Sequence, residues 1–121
     1  MGHRTVMTAR RIELGQMVRE IINVNLGNCS LSRAARELAF YTRTKPNSLN
    51  SYLSSIRRET AGLKFPADPT KVEGLEKLTV VLYSLGVSAE ERVIQELKRT
   101  YPLITYPPVN YEQIPRIGRY A

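Results

Sequence analysis

Residues that start or stop helices divide this chain into short segments, each with apolar side chains at helical spacing. Thr8, Ser30, Asn47 or Ser48, Asp68 and Ser88 can each cap a helix N-terminus. Gly27-Asn28, Ala61-Gly62 and Gly86 are stop signals. Nowhere is an alternating apolar run strong enough to predict a sheet. The pattern therefore predicts an all-α fold of five helices.

The start signals also predict approximate helix bounds. The five helices are expected from after Thr8 to about Leu26, from near Ser30 past Leu38, over about 48–60, from Asp68-Pro69 to about Leu85, and from Ser88 to about Thr100. Asp68-Pro69 pairs a capping acid with a proline at the first helical position, and Ser88 with Glu91 has the spacing of a capping box. Residues 1–7 are expected to be a frayed start.

Three regions differ in composition. Residues 8–62 are basic and are predicted to form a three-helix unit, and residues 68–100 a helical hairpin. The fourth predicted helix is apolar on more than one side, so it is either central to the fold or buried by a second chain; we expect a homodimer. Residues 101–121 carry four prolines and four tyrosines, which predicts an extended arm on the protein's own surface or a neighbouring subunit. Disorder and direct nucleic-acid contact are the alternatives for this arm.

The rarer residues exclude much chemistry. The chain of 121 residues contains one cysteine, Cys29, one histidine, His3, and one aspartate, Asp68. Zinc clusters of Cys and His, and catalysis that needs a positioned histidine, are therefore not expected, and there is no glycine-rich phosphate loop. The sequence predicts a non-enzymatic protein with no cofactor, no metal and no small-molecule substrate. It shows neither a secretory signal nor a run of roughly 20 apolar residues, which predicts a cytoplasmic location without a membrane span.

The whole excess of positive over negative charge lies in the first half of the chain. The formal net charge is +7, and residues 1–66 hold eleven basic and four acidic side chains, whereas residues 67–121 hold seven of each. A basic half beside a neutral half indicates a polyanionic partner, of which nucleic acid is the commonest. Most of these bases are arginine, which binds phosphate with two hydrogen bonds and stacks on bases.

Two segments of the basic half resemble the helix-turn-helix class of DNA-binding domains. They are Ser30–Leu38, with buried-type Ala34-Ala35, and Asn47–Arg58. The resemblance implies that the second helix lies in the major groove. The usual turn has three or four residues and often a glycine. Here the stretch from Leu38 to Leu49 is longer and has no glycine, so either the first of these helices continues through Tyr41-Thr42 or the loop carries an insertion.

The resemblance assigns roles to nine side chains. Arg33, Arg36, Arg43 and Lys45 are expected to hold the phosphate backbone, Asn50, Ser51, Ser54 and Arg57 to approach base edges, and Arg58 to do either. The leading hypothesis is a small DNA-binding regulator or accessory factor, with DNA favoured over RNA. A second is a helical nucleoprotein, such as a virion component or small ribonucleoprotein subunit, that coats nucleic acid without reading sequence. A third is a module whose basic face binds an acidic protein.

Overall fold

The computed structural model describes residues 2–26, 30–58, 65–109 and 112–117, with side chains from residue 9 onward. These residues form five α-helices and no strand, as predicted. The helices are α1 (Gly2–Asn25), α2 (Leu31–Thr42), α3 (Pro46–Arg58), α4 (Glu76–Ser84) and α5 (Arg92–Thr100), with a 3₁₀ turn at Glu73–Leu75 before α4. The predicted stops at Gly27-Asn28 and Ala61-Gly62 lie outside the described residues.

The start of α2 follows the sequence signal. The Ser30 side chain accepts a hydrogen bond from the backbone N–H of Arg33, which confirms Ser30 as the N-cap. The helix continues through Tyr41 and Thr42, and it ends where Arg43 adopts a left-handed conformation with φ of 54°. Of the two possibilities that the sequence left open, the helix therefore continues and no insertion is present.

Three predicted helix starts are wrong. Helix α1 begins at Gly2 rather than after Thr8, since no proline interrupts residues 3–8. Helix α3 begins at Pro46, where proline fits the first turn, so Asn47 and Ser48 lie inside the helix. The capping box also does not form: Ser88 accepts from the Glu91 N–H through its backbone oxygen, and α5 starts only at Arg92.

The predicted start of the fourth helix is displaced further. The Asp68 carboxylate accepts hydrogen bonds of 2.9 and 2.8 Å from the backbone N–H and the hydroxyl of Thr70, and these bonds lower the Asp68 pKa. Asp68 thus stabilises a local turn instead of capping a helix, a competition typical of aspartate. Val72 and Gly74 are weak helix formers, and α4 begins only at Glu76.

One hydrophobic core unites the described helices. It includes Leu14 of α1, Leu38 of α2, Leu53 of α3, Leu82 of α4 and Ile94 of α5. Helix α2 packs on α3 and α4, and α1 packs on α3 and α5. Six of the nine residues of α4 are buried within this single chain, so α4 is central to the fold and its apolar sides need no second copy to cover them.

The described part of the C-terminal segment is an irregular strap that packs on the same core. Tyr101, Ile104, Tyr106 and Ile114 are buried. The Arg116 guanidinium lies 3.9 Å above the Tyr83 ring and donates to the Tyr83 carbonyl. Residues 101–109 and 112–117 therefore follow the protein's own surface, one of the alternatives expected for this arm. No helix in the described part of the chain is both long and apolar enough to cross a membrane.

Tyr101 makes stability sensitive to alkaline pH. Its ring is fully buried, its hydroxyl donates a 2.7 Å hydrogen bond to the Pro66 carbonyl, and burial raises its pKa from 10.0 to about 12. Because the unfolded chain releases this proton first, we expect the free energy of unfolding to fall between about pH 10 and pH 12, by at most about 1.4 kcal/mol for each pH unit.

Replacing Tyr101 with phenylalanine separates this effect from packing. We expect Tyr101→Phe to cost about 1 kcal/mol at neutral pH, because the Pro66 carbonyl loses its donor. Above pH 10 the variant should lose stability less steeply than the wild type, and urea unfolding at a series of pH values measures both slopes. Parallel slopes would show that Tyr101 does not carry the alkaline sensitivity.

Candidate nucleic-acid interface

A three-residue turn, Arg43-Thr44-Lys45, joins α2 to α3. The backbone N–H of Arg43 donates to Phe40 and that of Thr44 to Ala39, and the Thr44 hydroxyl donates to the Thr42 carbonyl. The Lys45 carbonyl accepts from the Leu49 N–H in the first turn of α3. These bonds hold the two helices in a fixed relation, with Arg43 and Lys45 exposed on the turn between them.

Helix α3 separates its apolar and polar side chains cleanly. Leu49, Leu53 and Ile56 are fully buried. At about 100° per residue, the five predicted contact residues fall within an arc of about 120° that faces away from these three. These five are Asn50, Ser51, Ser54, Arg57 and Arg58. The predicted side chains therefore share one face, whose short members let a ligand approach the helix closely.

The outward face of α2 meets that of α3. The Asn50 amide nitrogen of α3 lies 3.4 Å from the Ser32 hydroxyl oxygen of α2, so these two side chains join the helices near solvent. Arg36 follows Ser32 by one turn on the same side of α2, while Ala34, Ala35 and Leu38 are buried on the other. We call the combined outward surface of residues 30–58 the α2–α3 face.

All nine predicted residues lie within residues 30–58 and reach solvent. Arg33, Arg36, Arg43, Lys45, Ser51 and Arg58 are exposed, and Asn50, Ser54 and Arg57 are half-buried. Arg33 forms a 3.2 Å ion pair with Glu37, and its side chain remains 69% exposed. An exposed pair of this kind contributes little, so phosphate can replace Glu37. None of the nine side chains is lost to the core.

Charge on the α2–α3 face is predominantly positive. Residues 30–58 carry six basic side chains and one acidic side chain, Glu37. The described part beyond residue 65 carries six basic and seven acidic side chains. A surface of closely spaced arginines around amide and hydroxyl groups can bind phosphates and donate to or accept from base edges. Among the described residues, no three His, Cys, Asp or Glu side chains lie close enough to hold a metal ion.

Arg19 of α1 supports this face, and its role was not predicted. Its guanidinium donates to the backbone carbonyls of Arg57 at 3.2 Å and Arg58 at 2.8 Å. These carbonyls end α3, where unpaired acceptors and the helix dipole favour a cation. Because the bonds go to backbone atoms, both arginine side chains of α3 stay available for a ligand.

We expect Arg19→Met to lower the free energy of unfolding by about 1 kcal/mol, since methionine keeps the apolar stem but not the donors. Arg19→Lys should recover only part of this loss, because an ammonium cannot bind both carbonyls in a fork. Urea denaturation measures these differences. Arg10→Met, an exposed position on the same helix, is the control, and equal losses at positions 10 and 19 would exclude a specific role for Arg19.

Sequence reasoning missed three residues on or under this face: Arg19, Ser32 and Phe40. The Arg19 contact spans 38 positions and has no local signal. The sequence did indicate that Phe40 is exposed, because a helical wheel places it outside the apolar stripe and on the same side as Arg36, four residues before it. Tyr52, by contrast, packs against the core as expected; burial raises its pKa, and the Lys77 Nζ lies 4.7 Å from its ring centroid.

Comparison with known proteins returns no relatives. No protein-family model matches the chain, and neither curated proteins nor solved structures contain a significant match.

Proposed function

We propose that this chain is a non-enzymatic DNA-binding protein, a small regulator or accessory factor, that lays α3 in the major groove. The observation that carries the proposal is the contact between Ser32 and Asn50, which brings the polar outward sides of α2 and α3 next to each other. Arginines on α2 and the turn would hold the backbone while α3 faces the bases. In helix-turn-helix proteins, phosphate contacts likewise position the protein while the second helix contacts the bases.

The length of the turn supports the proposal. Two helices joined by three or four residues are typical of helix-turn-helix units, and the turn here has three. The left-handed position, often a glycine in such turns, is Arg43, with φ of 54°. With arginine instead of glycine at this position, the turn between α2 and α3 carries a positively charged side chain.

The composition of α3 also supports groove binding. Asn50, Ser51 and Ser54 are poorer helix formers than the residues that usually occupy an exposed helix face. Their small size suits a helix that enters a groove about 12 Å wide. Arg57 and Arg58 extend from the last turn, where they also interact favourably with the helix dipole.

Fluorescence anisotropy with labelled random-sequence duplex DNA, single-stranded DNA and RNA tests the proposal. We expect duplex DNA to bind best, with a slope of log affinity against log salt of about −4 to −5, because four or five of the basic side chains are expected to contact phosphates. Selection from a random duplex library should then enrich a site bound about 10³-fold more tightly than bulk DNA. Absence of binding to any nucleic acid at low salt would contradict the proposal and favour an acidic protein partner.

The same experiment distinguishes a coating nucleoprotein. Such a protein would show the steep salt dependence without enrichment of any sequence, since phosphate contacts carry no sequence information. Light scattering over a range of concentrations tests the predicted homodimer separately. A dimer would double the contacts and set a fixed half-site spacing.

Arg43→Gly should separate stability from binding. A residue other than glycine in the left-handed conformation raises the free energy of the folded state by about 1–2 kcal/mol. Glycine removes this strain, but part of the gain is lost because glycine also gives the unfolded chain more conformational freedom. We therefore expect Arg43→Gly to raise the free energy of unfolding by about 0.5–1 kcal/mol and to weaken duplex binding by about fivefold through the loss of one phosphate contact. Arg43→Ala is the matched control: it loses the charge and keeps the strain. Equal DNA affinity in wild type and both variants would remove Arg43 from the interface.

A further inference from the structure

Phe40 is the most exposed large apolar side chain in the described part of the chain. Its relative exposure is 84%, so core packing does not account for a phenylalanine here. The Tyr41 ring meets it edge to face, with centroids 5.3 Å apart, and α2 holds its backbone. Phe40 therefore presents an aromatic surface to solvent from a rigid helix.

Arginines precede and follow Phe40 along the chain. Arg36 lies one helical turn before Phe40 on the same side of α2, Arg33 lies one turn further, and Arg43 follows in the turn; all three are exposed. The acid nearest in sequence, Glu37, is paired with Arg33. A second copy docking through Phe40 would bring these like charges together, which disfavours self-association here. The surroundings instead suit a ligand that is both aromatic and anionic.

From this setting we propose that Phe40 stacks on an unpaired nucleobase, so that the α2–α3 face binds a duplex with a single-stranded flank better than a blunt duplex. This inference rests on the proposed function. Nucleotides combine a flat ring with phosphates, and base stacking on aromatic side chains tolerates any base. Inside a duplex, neighbouring base pairs cover both faces of each base, whereas a base in a single-stranded flank can leave the stack and offer a face to Phe40.

The position of Phe40 fits a base at the edge of the duplex. Phe40 lies eight residues after Ser32, about 12 Å along the α2 axis. Since Ser32 contacts Asn50 of α3, this spacing separates Phe40 from Asn50 by about one major-groove width along α2. The intervening Arg36 can hold the backbone between the two positions.

Anisotropy titrations with one duplex sequence, blunt or extended by a short single-stranded overhang at either end, test this inference. We expect the wild type to bind one overhang duplex about tenfold more tightly than the blunt duplex. Phe40→Ala should abolish the difference between the overhang and blunt duplexes, whereas Phe40→Trp should preserve it. Leu103→Ala, at another exposed apolar position, is the control and should behave as the wild type. A fluorescent adenine analogue in the overhang should be quenched by the wild type and not by Phe40→Ala.

The outcomes separate this inference from the proposed function. Equal affinity for blunt and overhang duplexes would overturn the role of Phe40 and leave duplex binding intact. Preference for an overhang that persists in Phe40→Ala would overturn it as well. If Phe40→Ala instead dissociates an oligomer, as seen by sedimentation, the patch is a protein contact and the inference is wrong. No binding of the wild type to either duplex at low salt would overturn both proposals.

Discussion

Replacing Arg36, Arg57 and Arg58 together with alanine should lower affinity for duplex DNA about 10²-fold at low salt. The three side chains lie on the α2–α3 face. Because the variant makes fewer phosphate contacts, its binding releases fewer counterions from the DNA. The slope of log affinity against log salt should become shallower by about 2, because Arg36 and Arg58 can contact phosphates whereas Arg57 is expected to approach base edges. Folding should be unaffected, because the backbone carbonyls that Arg19 binds remain in place.

A matched control distinguishes this face from general positive charge. Lys71→Ala/Arg92→Ala/Arg99→Ala removes the same three charges from exposed positions elsewhere on the molecule. We expect this variant to lose only a few-fold in affinity, through the weaker long-range attraction of a less basic protein. If both triple variants weaken binding equally and change the salt slope equally, the α2–α3 face is not the binding surface.

Leu53→Ala should lower the free energy of unfolding by about 3–4 kcal/mol. Leu53 is fully buried at the centre of α3, where it belongs to the core shared with α1, α2 and α4. Truncation removes the buried methyl groups and leaves a cavity, and both contribute to the cost. A loss of this size is a large part of the stability of an ordinary domain. Urea denaturation followed by circular dichroism measures it.

Ser54→Ala is the neighbouring control. Ser54 lies on the outward side of α3 and is half-buried, so alanine should change the free energy of unfolding by less than about 0.5 kcal/mol. For DNA affinity we expect the opposite: Ser54→Ala should weaken binding more than Leu53→Ala. Folded Leu53→Ala keeps all the residues proposed to contact DNA, whereas Ser54→Ala loses one. A loss below about 1 kcal/mol for Leu53→Ala would mean that α3 is not anchored in the core.

The sequence predicted best those features that depend on neighbours along the chain. Ser30 caps α2, as its residue type at a helix start predicts. Helical spacing alone places Leu49, Leu53 and Ile56 on the inward side of α3 and the polar residues between them on the outward side. The same rules failed where two local structures compete. Asp68 could cap a helix or bond to Thr70, and the turn with Thr70 forms.

Contacts between distant segments had no signal in the sequence. The bond from Arg19 to the end of α3 and the contact between Ser32 and Asn50 depend on how the helices cross. The burial of α4 within one chain also depends on the whole core, so its apolar surface alone could not distinguish a central helix from a dimer interface. The outward positions of the predicted residues within α2 and α3 follow from helical spacing, whereas the approach of Ser32 to Asn50 does not.

Nuclear magnetic resonance of the amide groups, with and without a bound DNA duplex, tests the central claim most directly. We expect chemical-shift changes and protection from hydrogen exchange to concentrate in residues 30–58, and to be strongest at the start of α2, the Arg43–Lys45 turn and the outward side of α3. Changes centred on α4, α5 or residues 101–109 would contradict it, because DNA would then bind a surface without the excess of positive charge.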